Sequence, residues 1–374
     1  MRAPLVAAFI VIIMLPLALN VAGQDGADPG AENRELAAFP RFDGTLESVA
    51  NFGNQFGHWF DDHFGLRSTF VRWYGETRLK VFGVSPTASV LKGKDGWFFY
   101  ADDGALEDHI SADLLTEEGV ANWREAVERA RRWLASKQIA FVFLVPPDKH
   151  FVYSEQMPSS LRRIGTMSRM DQVYAGLNDT GITVDVRPAL FDAKTRERIY
   201  YKTDTHWNDR GALVAYQAIV NAARARVPAV PEPWRRDDFD ALTRDAPAGD
   251  LGAMMGLKRV LREEDLALIP KRPRAAVVVE PQSAAPMAEE GRLVTEIPGS
   301  TLPRAVIFRD SFMSRLVPLL SEHFSRAVYL WQNDFDTNVI EQEHPDVVIQ
   351  EIVSRHLYVF TPSPELVPSC SDCK

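Results

Sequence analysis

Asp204 and His206 stand two residues apart in the run Tyr201-Lys202-Thr203-Asp204-Thr205-His206-Trp207-Asn208. In an extended segment, side chains at i and i+2 point the same way, so the carboxylate can hold the imidazole in one tautomer. Such a pair is half of a nucleophilic triad. The other half would be a hydroxyl or thiol on a sharp strand-to-helix turn, and Arg309-Asp310-Ser311-Phe312 has that form. A serine hydroxyl is a poor nucleophile at neutral pH, so Ser311 would need His206 as base, while N–H groups at the start of the following helix would receive an oxyanion. Other readings stay open at this point. A Ser after a strand is commonly an N-cap, and an Asp-x-His pair serves equally as a surface hydrogen bond or as two metal ligands, although no third ligand is evident.

The elements that must position these residues are legible as an alternation. Val90 to Tyr100 reads as a β-hairpin turning at Asp95-Gly96, and Thr116 opens a helix with Trp123, Val127, Ala130 and Leu134 on one face. Ile139 to Val145 is a continuous apolar run, the pattern of a strand covered on both faces, and Pro146-Pro147 stops it. A short strand at Thr183 to Val186 follows, and then a helix capped by Asn208 or Asp209. The chain resumes with strands at Ala305 to Phe308, Ala327 to Leu330 and Val347 to Ile349, and a helix over Phe312 to Phe324. Strands alternating with helices predict an α/β fold with a mostly parallel sheet flanked by helices, its site at the carboxyl ends of the strands. Residues 235–303 break the alternation, with strands expected at Ala275 to Glu280 and Leu293 to Ile297, and are taken as an insertion or accessory layer. Leu46 to Val84 is read as a helix whose aromatic stripe, Phe52 to Tyr74, packs on the body. Within it, Asp61-Asp62-His63 is a solvated face with a capping His, because sequence neighbours on a helix do not converge on one ion.

The 374-residue chain carries a net charge of -9 with no long basic run, which argues against nucleic acid or an anionic lipid surface as partner. Pro4 to Ala22 holds no charged side chain and would span roughly 30 Å as a helix. Residues 1–23 are therefore expected to be a signal anchor in the inner membrane or a signal peptide, residues 24–45 a linker, and residues 46–374 an exported domain. Cys370 and Cys373 could pair in an oxidising compartment, and the tail around them lacks the further ligands of a metal site.

Five blocks, Asp61-Asp62-His63-Phe64-Gly65-Leu66-Arg67, Gly93 to Tyr100, Val145 to Lys149, Asp204 to Trp207 and Asp310-Ser311-Phe312, together resemble the AlgJ/AlgX-type alginate O-acetyltransferases, relatives of the SGNH hydrolases. The resemblance runs in order from about Glu32 to Arg355. It implies a periplasmic enzyme that moves acetyl groups through an acetyl-serine onto hydroxyls of an exported polysaccharide such as alginate, with Ser311, His206 and Asp204 as the catalytic set. It also implies a membrane-bound O-acyltransferase partner that supplies the acetyl group, and no cofactor or metal. Arg309 stands where many relatives have Gly, so its side chain would crowd the turn or bind an anionic sugar. Trp207, Lys149 and Arg355 are further candidates for lining the acceptor cleft. The twenty or so residues after the last strand are too few for the carbohydrate-binding module of AlgX-like members, so the AlgJ-like arrangement fits better. An acetylesterase would use the same residues, and a non-catalytic scaffold for polysaccharide acetylation is the third reading.

Overall fold

The computed structural model describes residues 2–22, 36–280 and 291–368. Ten strands order it: β1 (Val90–Lys92), β2 (Phe98–Tyr100), β3 (Ala140–Leu144), β4 (Phe239–Pro247), β5 (Arg262–Pro270), β6 (Val277–Glu280), β7 (Arg292–Glu296), β8 (Arg304–Arg309), β9 (Arg326–Trp331) and β10 (Val347–Glu351). Six of them make the central sheet in the order β3-β10-β8-β9-β7-β6. The pairs β3/β10, β10/β8 and β8/β9 are parallel, whereas β7 and β6 add an antiparallel edge.

The continuous apolar runs of β3, β8 and β10 are explained by burial on both faces. Val142, Leu144, Ala305, Ile307, Val347 and Ile349 enter one core, and their alternate neighbours Phe141, Phe143, Val306, Phe308 and Val348 enter the other. The helix Asp209–Arg226 closes the first face with Leu213, Tyr216, Ile219 and Val220, and the helix Glu117–Ser136 closes the second with Trp123, Val127, Trp133 and Leu134. Burying each such side chain stabilises the fold by about 1.5–3 kcal/mol, which holds the strand ends in fixed register. The hairpin of β1 and β2 forms as expected, with Asp95 and Gly96 both at positive φ.

Several expected elements differ. The Thr183 strand shrinks to a single parallel bridge with Phe143. The helix expected over Leu46 to Val84 is two helices, Leu46–His63 and Arg67–Glu76, ending in a π turn, because Phe64 is extended and Leu66 left-handed. Its aromatic stripe is not packed on the body: Phe52, Phe56, Phe60, Phe70, Trp73 and Tyr74 are exposed. Rings four residues apart stack on one another instead, as in Phe52–Phe56 and Phe56–Phe60, a spacing that sequence alone cannot tell from a core face. The helix expected over Phe312 to Phe324 is a 3-10 turn, Ser311–Arg315, followed by short turns at Val317–Leu320 and Ser321–His323. Pro318 has no N–H to carry a continuous helix through this stretch.

The segment taken as an accessory layer contributes β6 and β7 to the central sheet itself, and β4 and β5 form a separate hairpin. The charge-free N-terminal stretch is helical, Arg2–Val21, with Pro16 inside. Among the described residues, however, no helix is long and apolar enough to cross a membrane, so the anchor expected there gains no support. Cys370 and Cys373 lie outside the described residues.

Candidate active site

The ends of β3, β8 and β10 meet at one edge of the sheet, where parallel α/β sheets place their sites. Asp310 follows β8 and organises that edge. Its Oδ1 accepts the Phe312 N–H at 2.9 Å, its Oδ2 accepts the Val353 N–H at 2.7 Å, and its own N–H donates to Glu351 Oε2 at 3.0 Å. The turn carrying Ser311 is thereby tied to the end of β10. With the Phe312 N–H engaged, the N–H of Ser311 itself, first in its 3-10 turn and without an intrahelical acceptor, is the oxyanion donor that this turn offers. It is the start of a short turn, and the dipole of a long helix does not back it.

His206 arrives on the loop between Tyr200 and Trp207, which pair as an antiparallel bridge. Asn208 accepts the N–H groups of Arg210 and Gly211 and so starts the helix Asp209–Arg226 immediately afterwards. Lys149, just past β3, donates its buried ammonium to the carbonyls of Tyr201, Lys202 and Asp204 at 2.7–3.1 Å, fixing the loop from below. Burial pulls this ammonium down to about 8, against the pull of Asp250 and Asp204. From the other side, the Trp207 indole N–H donates to the Phe312 carbonyl at 3.0 Å and its ring meets Phe312 edge-on. The two loops are therefore one packed unit.

On this frame, His206 Nε2 lies 2.8 Å from Ser311 Oγ, and His206 Nδ1 lies 2.7 Å from Asp204 Oδ1. The Asp204 carboxylate also accepts the His206 backbone N–H at 2.9 Å. The imidazole keeps 21% exposure, on a cavity of about 580 Å³ that it shares with Ser311. Burial disfavours the imidazolium, yet the charge and hydrogen bond of Asp204, followed by the charge of Asp250, outweigh it and raise the His206 pKa. Asp204 is held well below the usual carboxylate range: burial opposes its charge, and His206 overcomes that. A proton taken from Ser311 would thus meet an oriented imidazole whose charged form Asp204 stabilises.

Of the four residues expected to line an acceptor cleft, one stands on this cavity. Arg355 stands in the cavity wall, its Nη1 2.5 Å from Asp148 Oδ1, above the rings of Tyr100 and Phe312. Asp148 is buried but kept ionised by Arg355. Trp207 and Lys149 are buried structural ties, as described. Arg309 neither crowds the turn nor faces the cavity. Its Nη1 donates to Asp310 O and Ser314 Oγ, and its guanidinium stacks on Trp331.

Sequence reasoning missed Asp250, which lies in the segment taken as accessory. It completes a group in which Asp204, His206 and Asp250 offer ligand atoms within 4.8 Å of one another, so the third ligand that was not evident in sequence exists in space. The atoms are nonetheless committed to hydrogen bonds: Nδ1 to Asp204, Nε2 to Ser311, and both Asp250 oxygens to Thr205. That pattern is of a base assembly. Lys258 and Arg315 also face the cavity and were missed, because isolated cations in loops carry no periodic signal.

Glu351 is the other missed residue. Burial, followed by the charge of Asp310, pushes its carboxyl pKa well above the usual range, which favours the neutral acid. A folded pKa above the unfolded value of about 4.3 means that stability is fully present below that value and is lost as pH rises toward the folded pKa. Glu351→Gln imitates the neutral acid at every pH. Its unfolding free energy is expected to gain on the wild type as pH rises from about 4 to 8, by up to about 1.4 kcal/mol per pH unit, and its melting temperature should rise with it. Equal melting temperatures across that range would contradict a raised Glu351 pKa.

A mostly parallel sheet flanked by helices, with a Ser–His–Asp chain at its carboxyl edge, defines an SGNH-hydrolase-like protein. Residues 90–301, more than half of the chain, match the family model described as SGNH hydrolase-like domain, acetyltransferase AlgX, and the chain belongs to that family. The match contains Asp204, His206 and Asp250, and ends before Ser311. Among curated proteins, the chain is 26% identical over 207 residues to "Probable alginate O-acetylase AlgJ" of Pseudomonas syringae pv. tomato, covering 50% of each. It is 26% identical over 172 residues to the protein of that name from Pseudomonas putida, covering 44% of this chain and 41% of the relative. The chain thus spans about half the length of the curated relatives it matches. Two solved structures share the fold: a DHHW family protein from Eubacterium siraeum (TM-score 0.53, 17% identity, 73% of this chain and 93% of that one) and Bacillus cereus PatB1 (TM-score 0.50, 15% identity, 72% and 96%).

Proposed function

We propose that the chain is an O-acetyltransferase that carries acetyl groups on Ser311 to hydroxyls of an exported polysaccharide. The observation that carries this reading is the unbroken hydrogen-bonded sequence Ser311 Oγ, His206 Nε2, His206 Nδ1, Asp204 Oδ1, at 2.8 and 2.7 Å, open to a cavity. Its membership of the acetyltransferase family and its similarity to proteins named alginate O-acetylase support the choice of group. His206 takes the Ser311 proton as Oγ bonds to the acetyl carbon. The oxyanion forms at the Ser311 N–H, and the imidazolium returns the proton to the departing donor group. An acetyl-serine remains. A sugar hydroxyl then gives its proton to His206 and attacks the ester, and Ser311 Oγ leaves with that proton. Lys258, Arg315 and Arg355 give the cavity cations that suit a uronate polymer such as alginate.

In this reading the acetyl donor is delivered outside the cytoplasm by a membrane-bound O-acyltransferase, and the domain works on the periplasmic side. The test uses the full chain with an acetyl ester donor. Intact mass is expected to show one added acetyl group on Ser311, and added oligosaccharide is expected to discharge it into acetylated sugar. Acetate as the sole product at every acceptor concentration would instead establish an esterase.

A further inference from the structure

Residues 249–252 are stitched along residues 203–205. Gly249 N–H donates to Thr203 Oγ1 at 3.0 Å, Asp250 N–H to Asp204 Oδ2 at 3.2 Å, and Gly252 N–H to the Thr203 carbonyl at 3.2 Å. In return, Thr205 N–H donates to Asp250 Oδ1 at 2.7 Å and Thr205 Oγ1 donates to Asp250 Oδ2. This leaves Asp250 Oδ2 3.5 Å from His206 Nδ1, on the atom that Asp204 already holds at 2.7 Å. Thr205 Oγ1 bridges the two, 3.1 Å from the same nitrogen. We propose that Asp250 is a second carboxylate partner of the His206 imidazole, a positioning residue that completes, with Asp204 and Thr205, the surroundings of Nδ1.

Two carboxylates beside one nitrogen repel each other unless a cation stands between them. The group that can supply that cation is the imidazolium, the species formed when His206 removes a proton from Ser311 or from an acceptor hydroxyl. Asp250 therefore favours the charged intermediate over the resting imidazole, a differential effect of the kind that lowers a barrier. Its own carboxyl is pushed up by burial and then by Asp204, as expected for the weaker member of a like-charged pair.

Other charges also face His206 and bear on its titration. Lys149 lies beneath the loop, and Arg315 and Lys258 stand across the cavity. Arg355 and His356 approach from beyond β10, Tyr100 from the end of β2 and Asp103 from just beyond it. Arg355 disfavours the imidazolium. Removal of the Asp250 charge leaves these cations less opposed, so the imidazole should titrate at lower pH.

The test follows His206 directly in the full chain labelled with nitrogen-15 histidine, its signal assigned by its loss in His206→Ala. In Asp250→Asn the imidazole titration is expected to move down by about one pH unit, whereas Asp250→Glu, which keeps the charge, should stay near the wild type. An unmoved titration in folded Asp250→Asn overturns the proposal. Should that variant not fold, Asp250→Ser removes the charge in a second way and is judged by the same criterion. The inference rests on the proposed function only where His206 acts as base: there, the acid limb of kcat/KM should move with the titration. A shifted titration in a chain that transfers no acetyl group would sink the enzymatic reading and leave the Asp250 pairing standing.

Discussion

Ser311→Ala is expected to abolish the acetyl adduct and to lower acetyl transfer by a factor on the order of 10⁴ or more. The side chain lost is small, and its place in the structure explains why the effect should be confined to chemistry. The turn is capped by Asp310, whose carboxylate holds the Phe312 and Val353 N–H groups, so the Ser311 hydroxyl carries none of the local fold. Its one described partner is His206 Nε2 at 2.8 Å. Thermal stability should accordingly stay within about 0.5 kcal/mol of the wild type, the usual range for a substitution away from core or caps. His206→Ala should match Ser311→Ala in the loss of adduct, and the double variant should be no worse than either single, because the two act as one unit. An adduct that persists at full yield in Ser311→Ala would remove the serine from the mechanism altogether.

The parallel core was legible in sequence because each buried strand announces itself as a short run without alternation. Ile139 to Val145, Ala305 to Phe308 and Val347 to Ile349 became the three strands whose ends hold the site. The pair Asp204/His206 was legible for a similar reason, since two chemical groups at i and i+2 in an extended loop need no tertiary information to face one way. Ser311 required the strand-to-turn transition as well, and the transition was real although the long helix after it was not. What stayed hidden depends on contacts far apart in sequence. Nothing local marks Asp250, forty-five residues beyond Thr205, as a neighbour of His206. Glu351 looks like the polar end of a strand, and only its burial against Asp310 raises its carboxyl pKa. Trp207 and Lys149 show the converse: residue types suited to a sugar cleft, spent instead on structure, Lys149 holding the His206 loop and Trp207 joining it to the Ser311 turn.

Gly249→Ala is expected to cost about 100-fold or more in acetyl transfer while leaving the protein folded. Gly249 has φ -78 and ψ -152, extended backbone that alanine adopts freely, so backbone strain plays no part. The added methyl instead falls onto the Asp204 carboxylate, 2.7 Å from Cγ and closer still to Oδ2 and Cβ. Neither side can yield easily. The 249–252 segment is bonded to Thr203, Asp204 and Thr205, and the Asp204 carbonyl is held by the Lys149 ammonium at 2.7 Å. Rotation of the carboxylate cannot relieve the contact with Asp204 Cβ, so the two segments must shift apart, and that shift carries the carboxylate off Nδ1 and breaks the 2.7 Å bond that orients the imidazole. A displacement of about 1 Å at such a contact is enough for a 100-fold loss. The sign of the accompanying pH effect is also set. Asp204 raises the His206 pKa, so a misplaced Asp204 lets that pKa fall, and the acid limb of kcat/KM should move to lower pH as its plateau drops. Steady-state rates from pH 5 to 8, with a melting curve to show the fold intact, decide the matter. Wild-type rates and an unmoved acid limb would mean that the carboxylate has room that the structure does not give it.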